Sequence, residues 1–201
     1  MNPSCVSLAD IDAAIACSDS DNVGGIKQEI IYGYWEDVAT WPTLPAATSN
    51  SELTLEAAGK WAGELAMKTG KRAFRMEFTD ENGEFTMTDQ GEAGGESVLY
   101  QLDIVRAKIN SVILGFMNAT RGRKMFFIVT DRNGTKYLMG DAINAAKRIA
   151  GDAVTSGKAT TDLANVPLRF TYVCPRNLIY AGSTDGLLTT ATGGEDEDDE
   201  D

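Results

Sequence analysis

Histidine is missing from this sequence, and that absence removes more chemistry than any other feature of the composition. Ser-His-Asp and Cys-His nucleophilic catalysis, His-ligated zinc and a histidine pH switch are all excluded. Cysteine is scarce as well. Cys5, Cys17 and Cys174 are odd in number, form no C-x-x-C and follow no basic-then-apolar leader. That usage fits folding in a reducing cytosol, so the triplets Asn118-Ala119-Thr120 and Asn133-Gly134-Thr135 read as chance matches to a glycosylation site. Long apolar runs are also lacking. The best, Ile109 to Met117, is broken by Asn110, Ser111 and Gly115 and falls well short of the ~20 residues of a membrane helix, so no membrane anchor is expected. Positive charge is the last shortage: 18 Lys plus Arg face 30 Asp plus Glu, for a net −12, which argues against a reader of duplex DNA.

What is present is globular in kind. Hydrophobic residues make up 43% and charged residues 24% of 201 residues, enough for one domain of ordinary size. The acidity is unevenly spread. Seven acids form the run Glu195 to Asp201, and they carry seven of the twelve net negative charges, leaving −5 for the rest. Such a run repels itself and buries no apolar area, so residues 181–201 are expected to be a disordered acidic tail. Its plain reading is solubility.

Residues 1–24 read as an N-terminal arm, with Leu8, Ile11 and Ile15 spaced for one short helix capped by Asp10. Residues 25–180 read as the folded domain. Ile26 to Val38 is strand-like, rich in Ile, Tyr and Trp, and residues 40–63 form a long Pro/Ser/Ala/Thr excursion. Phe74, Met76 and Phe78 alternate with polar residues, Asn82-Gly83 supplies a turn, and Phe85 and Met87 alternate on a return strand, which predicts a hairpin. Tyr100, Leu102 and Ile104 share one face of the next strand, with Gln101 and Asp103 on the other. Ile109, Val112, Ile113, Phe116 and Met117 form a helical stripe, ended near Gly122, with Arg121, Arg123 and Lys124 read as helix end plus strand start. A second Asn-Gly hairpin spans Lys124 to Met139, residues 140–157 allow a short helix, and Pro167 to Cys174 is a final strand with Cys174 in the core. Strands, one helix, then strands predict a mainly β (α+β) fold: an antiparallel sandwich or barrel with one flanking helix.

No catalytic or ligand-binding motif is complete in the sequence. Gly151 to Lys158 resembles a phosphate loop but has the wrong spacing, and Ala159 stands where Ser or Thr would hold magnesium. Asp19, Asp21 and Gly24 resemble the start of a calcium loop, but Val23 and Ile30 occupy ligand positions. No metal, cofactor or catalytic residue is assigned, and the chain reads as not an enzyme. Trp35, Trp41, Pro42 and Trp61, in or beside the excursion, read either as core or as an inter-subunit contact, since Trp supplies hot-spot area.

Four stretches together resemble a family. They are Val23-Gly24-Gly25-Ile26-Lys27, the segment Arg72 to Thr88, the strand–helix–strand unit Ser97 to Thr130 with Asp131-Arg132-Asn133-Gly134-Thr135-Lys136-Tyr137-Leu138-Met139-Gly140, and Ser156-Gly157-Lys158 through Asp162 to Asn165 before the strand ending at Cys174-Pro175. The pattern "d-x-n-G-x-x-y-l-x-G", then "sGxxxxDlxg" before a closing strand, is similar to that of the phage tail tube proteins and the related tubes of contractile injection systems. The resemblance implies a structural virion protein, folded in the host cytoplasm, that forms hexameric, stacked rings with other tail proteins as partners. DNA would pass only transiently through the ring's channel. Arg75, Glu77, Gln101 and Asp103 are the candidates for lining that channel, with a net negative wall to repel phosphate. Related rings, namely tail terminators, necks and hubs, share the expected fold. The competing expectations are a monomeric binding module docking through its Trp-rich loop, and a hydrolase with paired carboxylates.

Overall fold

The computed structural model describes residues 6–9, 23–47, 52–149 and 153–189. Cys5, Cys17, the arm helix predicted after Asp10, the start of the calcium-like segment and the acidic run lie outside these residues.

In chain order the elements are β1 (Ile26–Tyr34), a 3-10 turn (Trp35–Asp37), β2 (Val38–Thr40), α1 (Leu55–Ala58), β3 (Ala66–Met67), β4 (Phe74–Glu77), β5 (Gly83–Gln90) and β6 (Ser97–Ala107). They continue with α2 (Ser111–Ala119), β7 (Met125–Asp131), β8 (Lys136–Met139), β9 (Lys147–Ile149), β10 (Asn165–Cys174) and a last 3-10 turn (Asp185–Leu187). The fold is mainly antiparallel β. One four-stranded sheet has the order β4-β1-β7-β8, a second the order β5-β6-β10-β9, and β2 pairs with β3.

The second sheet follows the period-2 rule. In β6 the residues Val98, Tyr100, Leu102 and Ile104 are buried while those between them are half-buried, and β10 alternates the same way. The two strands pair over ten rungs, from Asn165 opposite Ala107 to Cys174 opposite Val98. Phe170 of this sheet meets Phe127 of the first at a ring separation of 4.3 Å, and Phe85 stacks on Tyr137 at 4.7 Å, so the two sheets share one core.

The first sheet breaks the alternation. Met125 to Val129 of β7 are all buried, because both faces of the sheet are covered. Phe127 and Val129 face the second sheet's side. Phe126, on the opposite face, packs under Trp41 of the excursion at 6.0 Å, edge to face. The excursion is in turn tied to the terminal segment: Trp61 N–H donates to Ile179 O (3.0 Å), Ile179 N–H to Gly59 O (2.8 Å) and Leu65 N–H to the Tyr180 hydroxyl (3.0 Å). Tyr180 N–H then bonds Lys136 O at 2.8 Å, along the edge of β8. Gly33 of β1 lies opposite Phe126, and a Cβ there would stand 2.6 Å from the Phe126 ring; the ring fills the space a side chain would take.

Several local expectations change. Ile26 to Val38 is interrupted by the turn at Trp35–Asp37. The predicted hairpin from Arg72 to Thr88 does not form: β4 pairs with β1 and β5 with β6, in different sheets. The positive φ of that connection sits on Glu81 (57°), not on the Asn82-Gly83 pair. Gly83 is required for room instead, since a Cβ there would meet the Phe78 ring at 2.3 Å. The second Asn-Gly turn is the hairpin expected, joining β7 to β8 with Gly134 at φ 92°.

A second helix, α1, is only four residues long; α2 is capped by the Asn110 carboxamide, which accepts from Ile113 N–H at 2.9 Å. The stripe on α2 is narrower than its spacing implied. Ile113 is buried, but Val112 is 75% exposed. The short helix allowed over residues 140–157 is replaced by β9, begun where Ala146 pairs with Met125. Cys174 is buried, as expected of a core residue. Packing extends past residue 180 to Leu187, whose carbonyl accepts from Ala73 N–H at 2.7 Å.

Candidate functional site

The outward face of the second sheet is built by register. Glu84 stands opposite Asp103, and Asp103 opposite Arg169, so one row across the sheet reads Glu84, Asp103, Arg169, Ile149. The next row reads Thr86, Gln101, Thr171, Lys147. Because side chains alternate, a strand that sends Tyr100, Leu102 and Ile104 into the core must send Gln101 and Asp103 out. Gln101 Nε2 donates to Asp103 Oδ2 at 2.6 Å, and Arg169 Nε pairs with Asp103 Oδ1. Glu84 and Asp103 are balanced by Arg169 and Lys147, so this face is polar with no net sign. Its partly exposed ion pair contributes little stability, about 0–1 kcal/mol, and serves mainly to hold the side chains flat on the sheet.

The same sheet ends in two dissimilar edges. β9 is three residues long and covers only Arg169 to Thr171 of the ten-residue β10. β5, at the other side, is eight residues long. Val105 N–H donates to Asn82 O at 2.9 Å, just ahead of β5 in the same register. That phase gives the even-numbered residues of β5 to β6 and turns the backbone groups of Phe85, Met87 and Asp89 outward. Edges of this length are normally paired or blunted.

Arg75 and Glu77 lie elsewhere. They sit on β4, at the edge of the first sheet, where Arg75 Nε pairs with Glu29 at 3.3 Å and Glu77 stands opposite Glu29. All four channel candidates are therefore outside the core, but no one face carries them together: Gln101 and Asp103 share a face, Arg75 and Glu77 another.

The residues offered for inter-subunit contact are used within the chain. Trp61 and Pro42 are buried, and the rings of Trp35 and Trp41 lie 5.9 Å apart, tilted by 30°, with Trp35 Nε1 donating to Asp141 O at 2.6 Å. Lys124 Nζ lies over the Trp35 ring at 4.9 Å. Only the outer rims of Trp35 and Trp41 remain for a neighbour.

Three features were not read from the sequence. Asp141, nearly buried, accepts from Ile143 N–H and Asn144 N–H with Oδ1 and from the Tyr172 hydroxyl with Oδ2, each at 2.6 Å. Its signal is the Asp-x-x-Asn turn. Burial raises the Tyr172 hydroxyl far above a phenol's ordinary value, with the Asp141 carboxylate adding to it. The second feature is at Lys158 and Ala159, whose N–H groups are filled by the Asp162 carboxylate at 2.8 and 2.9 Å. Those bonds hold Asp162 below its ordinary value, and they occupy the donors that a phosphate would need.

The third is a cleft of about 780 Å³ at the end where β1 and β5 begin, bordered by Gly25, Glu81, Phe85, Asp131, Tyr137 and Arg169. Among the described residues no cluster of three or more His, Cys, Asp or Glu is placed to hold a metal ion.

Comparison with protein-family models, curated proteins and solved structures returned no match.

Proposed function

We propose that this chain is a structural subunit that assembles edge to edge into a ring of the tail-tube kind, with the outward face of the second sheet turned to the channel. The observation that carries the reading is that sheet's combination of an open eight-residue edge at β5, an incompletely covered β10 at the other side and a polar outer face. Joining the β5 edge of one copy to the β9–β10 edge of the next is a heterologous contact, and a rotation that closes turns it into a ring. The join satisfies backbone groups that otherwise invite aggregation. The two sheets then act as a sandwich, one layer forming the wall and the other, clothed by the excursion, forming the outside.

In this reading Gln101 and Asp103, with Glu84, Arg169 and Thr171, line the channel, while Arg75 and Glu77 belong to the flank. Neutrality across the face suits passage of a polyanion, because strong cations would hold phosphate and release counterions. A role as a tail terminator, neck or hub uses the same assembly.

The test is light scattering followed by electron microscopy of the purified full chain over rising concentration. Rings or tubes with a central hole are expected. A strict monomer at the highest attainable concentration overturns the reading and favours a monomeric binding module.

A further inference from the structure

The flank that carries Arg75 and Glu77 is built like a contact surface. Those two residues, with Glu29, Arg106, Val112 and Phe116, line a cleft of about 370 Å³ between β4 and α2. A second hollow of about 290 Å³ continues it past Tyr32 and Phe116 to Phe74 and Gly115. α2 walls both, and its nine residues include no charged side chain, in a chain where 24% of residues are charged. Val112 is 75% exposed, and Phe74 in the hollow is exposed too. Gly115 follows Val112 by one turn, and a Cβ there would meet nothing within 4 Å. Glycine weakens a helix interior relative to alanine, and the packing of one chain gives no reason for it here. A second backbone lying close against the helix does.

The charges around this apolar centre are incompletely matched within the chain. Glu77 stands directly opposite Glu29, an unfavourable pairing, and Arg75 answers Glu29 alone, at 3.3 Å. Glu77 and the half-buried Arg106 line the same cleft, yet neither has an ion-pair partner among the described residues. Both are therefore open to a neighbour. Two acids and two cations leave the rim neutral, so copies of an otherwise acidic chain can approach here without repulsion. A two-fold contact sets residue i of one copy against residue j of the other and the reverse, which calls for both signs around an apolar centre. We infer that this face takes a second copy of the chain. α2 packs on its counterpart about a two-fold axis near Val112 and Gly115, and Glu77 of each copy pairs with Arg106 of the other. No residue of β5, β9 or β10 lines the cleft or the hollow, so the contact is separate from the proposed ring joint and does not rest on it.

The test is sedimentation velocity of the purified full chain beside Glu77→Arg, Arg106→Glu and an equimolar mixture of those two variants. Each reversal alone sets like charges together at both ends of the contact and is expected to weaken dimerisation at least about tenfold. The mixture is expected to recover to within about threefold of the unaltered chain, because a mixed pair has opposite charges at both ends. An effect confined to one chain cannot produce that recovery. In a chain carrying Cys5→Ser and Cys17→Ser, Val112→Cys is expected to give a disulfide-linked dimer on mild oxidation. Leu163→Cys, exposed but outside the cleft and the hollow, is expected to give none.

Dimerisation unmoved by the two reversals overturns the inference, as does a mixture that associates no better than the single variants. A chain that stays monomeric and gives no Val112→Cys dimer also overturns it, in favour of a partner other than this chain. If a reversal variant fails to fold, the cross-link decides: a Val112→Cys dimer without a Leu163→Cys dimer supports the contact, and any other pattern overturns it.

Discussion

The residues that most constrain this molecule's chemistry are its buried phenols. Tyr100 receives Leu178 N–H at 2.8 Å and donates to Arg176 O at 3.1 Å, and Tyr172 donates to Asp141. Burial raises both hydroxyls, and it raises Cys174 between them. A phenol whose folded value lies above its unfolded value of about 10 contributes stability that is complete below that pH and lost as pH climbs through it. Urea midpoints are therefore expected to stay level through neutral pH and fall above about pH 9–10. Each strongly shifted phenol removes about 1.4 kcal/mol per pH unit, and Tyr172→Phe should flatten part of the slope. A midpoint unchanged to pH 11 would count against these hydroxyls being held neutral.

At the scale of elements, alternation was legible wherever a sheet has one dry face. Tyr100, Leu102 and Ile104 against Gln101 and Asp103 were assigned to the correct faces because the second sheet is covered on one side only. The first sheet was harder to read: Met125 to Val129 show no period once Trp41 and the terminal segment cover the far face. Pairing was less legible still. The run Phe74 to Met87 contains two true strands and a turn signal, but nothing local says that they belong to different sheets. Likewise Arg121 to Lys124 reads as a helix end plus strand start, and the approach of Ala146 to Met125 depends on a pairing more than twenty residues away.

The phase of β5 yields an assembly test at this same scale. Met87 turns its N–H outward, so Met87→Pro should leave the monomer's circular dichroism and melting nearly unchanged while abolishing assembly. Thr86→Pro removes a bond to β6 and should cost the monomer itself at least about 1 kcal/mol. Normal assembly by a well-folded Met87→Pro chain would remove β5 from the proposed contact.

For the whole molecule the decisive quantity is charge. Each copy carries −12, and copies brought edge to edge repel over a Debye length of roughly 30 Å at 0.01 M salt but only about 3 Å at 1 M. The assembled fraction measured by light scattering is thus expected to rise with salt. An assembled fraction that falls with salt would mean that attraction between unlike patches, not sheet pairing, holds the copies together.

The interlock of excursion and terminal segment bears on how the chain is made. Trp41 and Trp61 leave the ribosome more than a hundred residues ahead of the strap that fixes them, from Leu178 to Leu187. Until it arrives, Phe126 and its neighbours on the far face of the first sheet lack their full cover, and a nascent chain presents that surface to its surroundings. Closure of the outer layer therefore waits for the strap, and a chain that stops short of Leu187 keeps an apolar face that a chain reaching past it has closed.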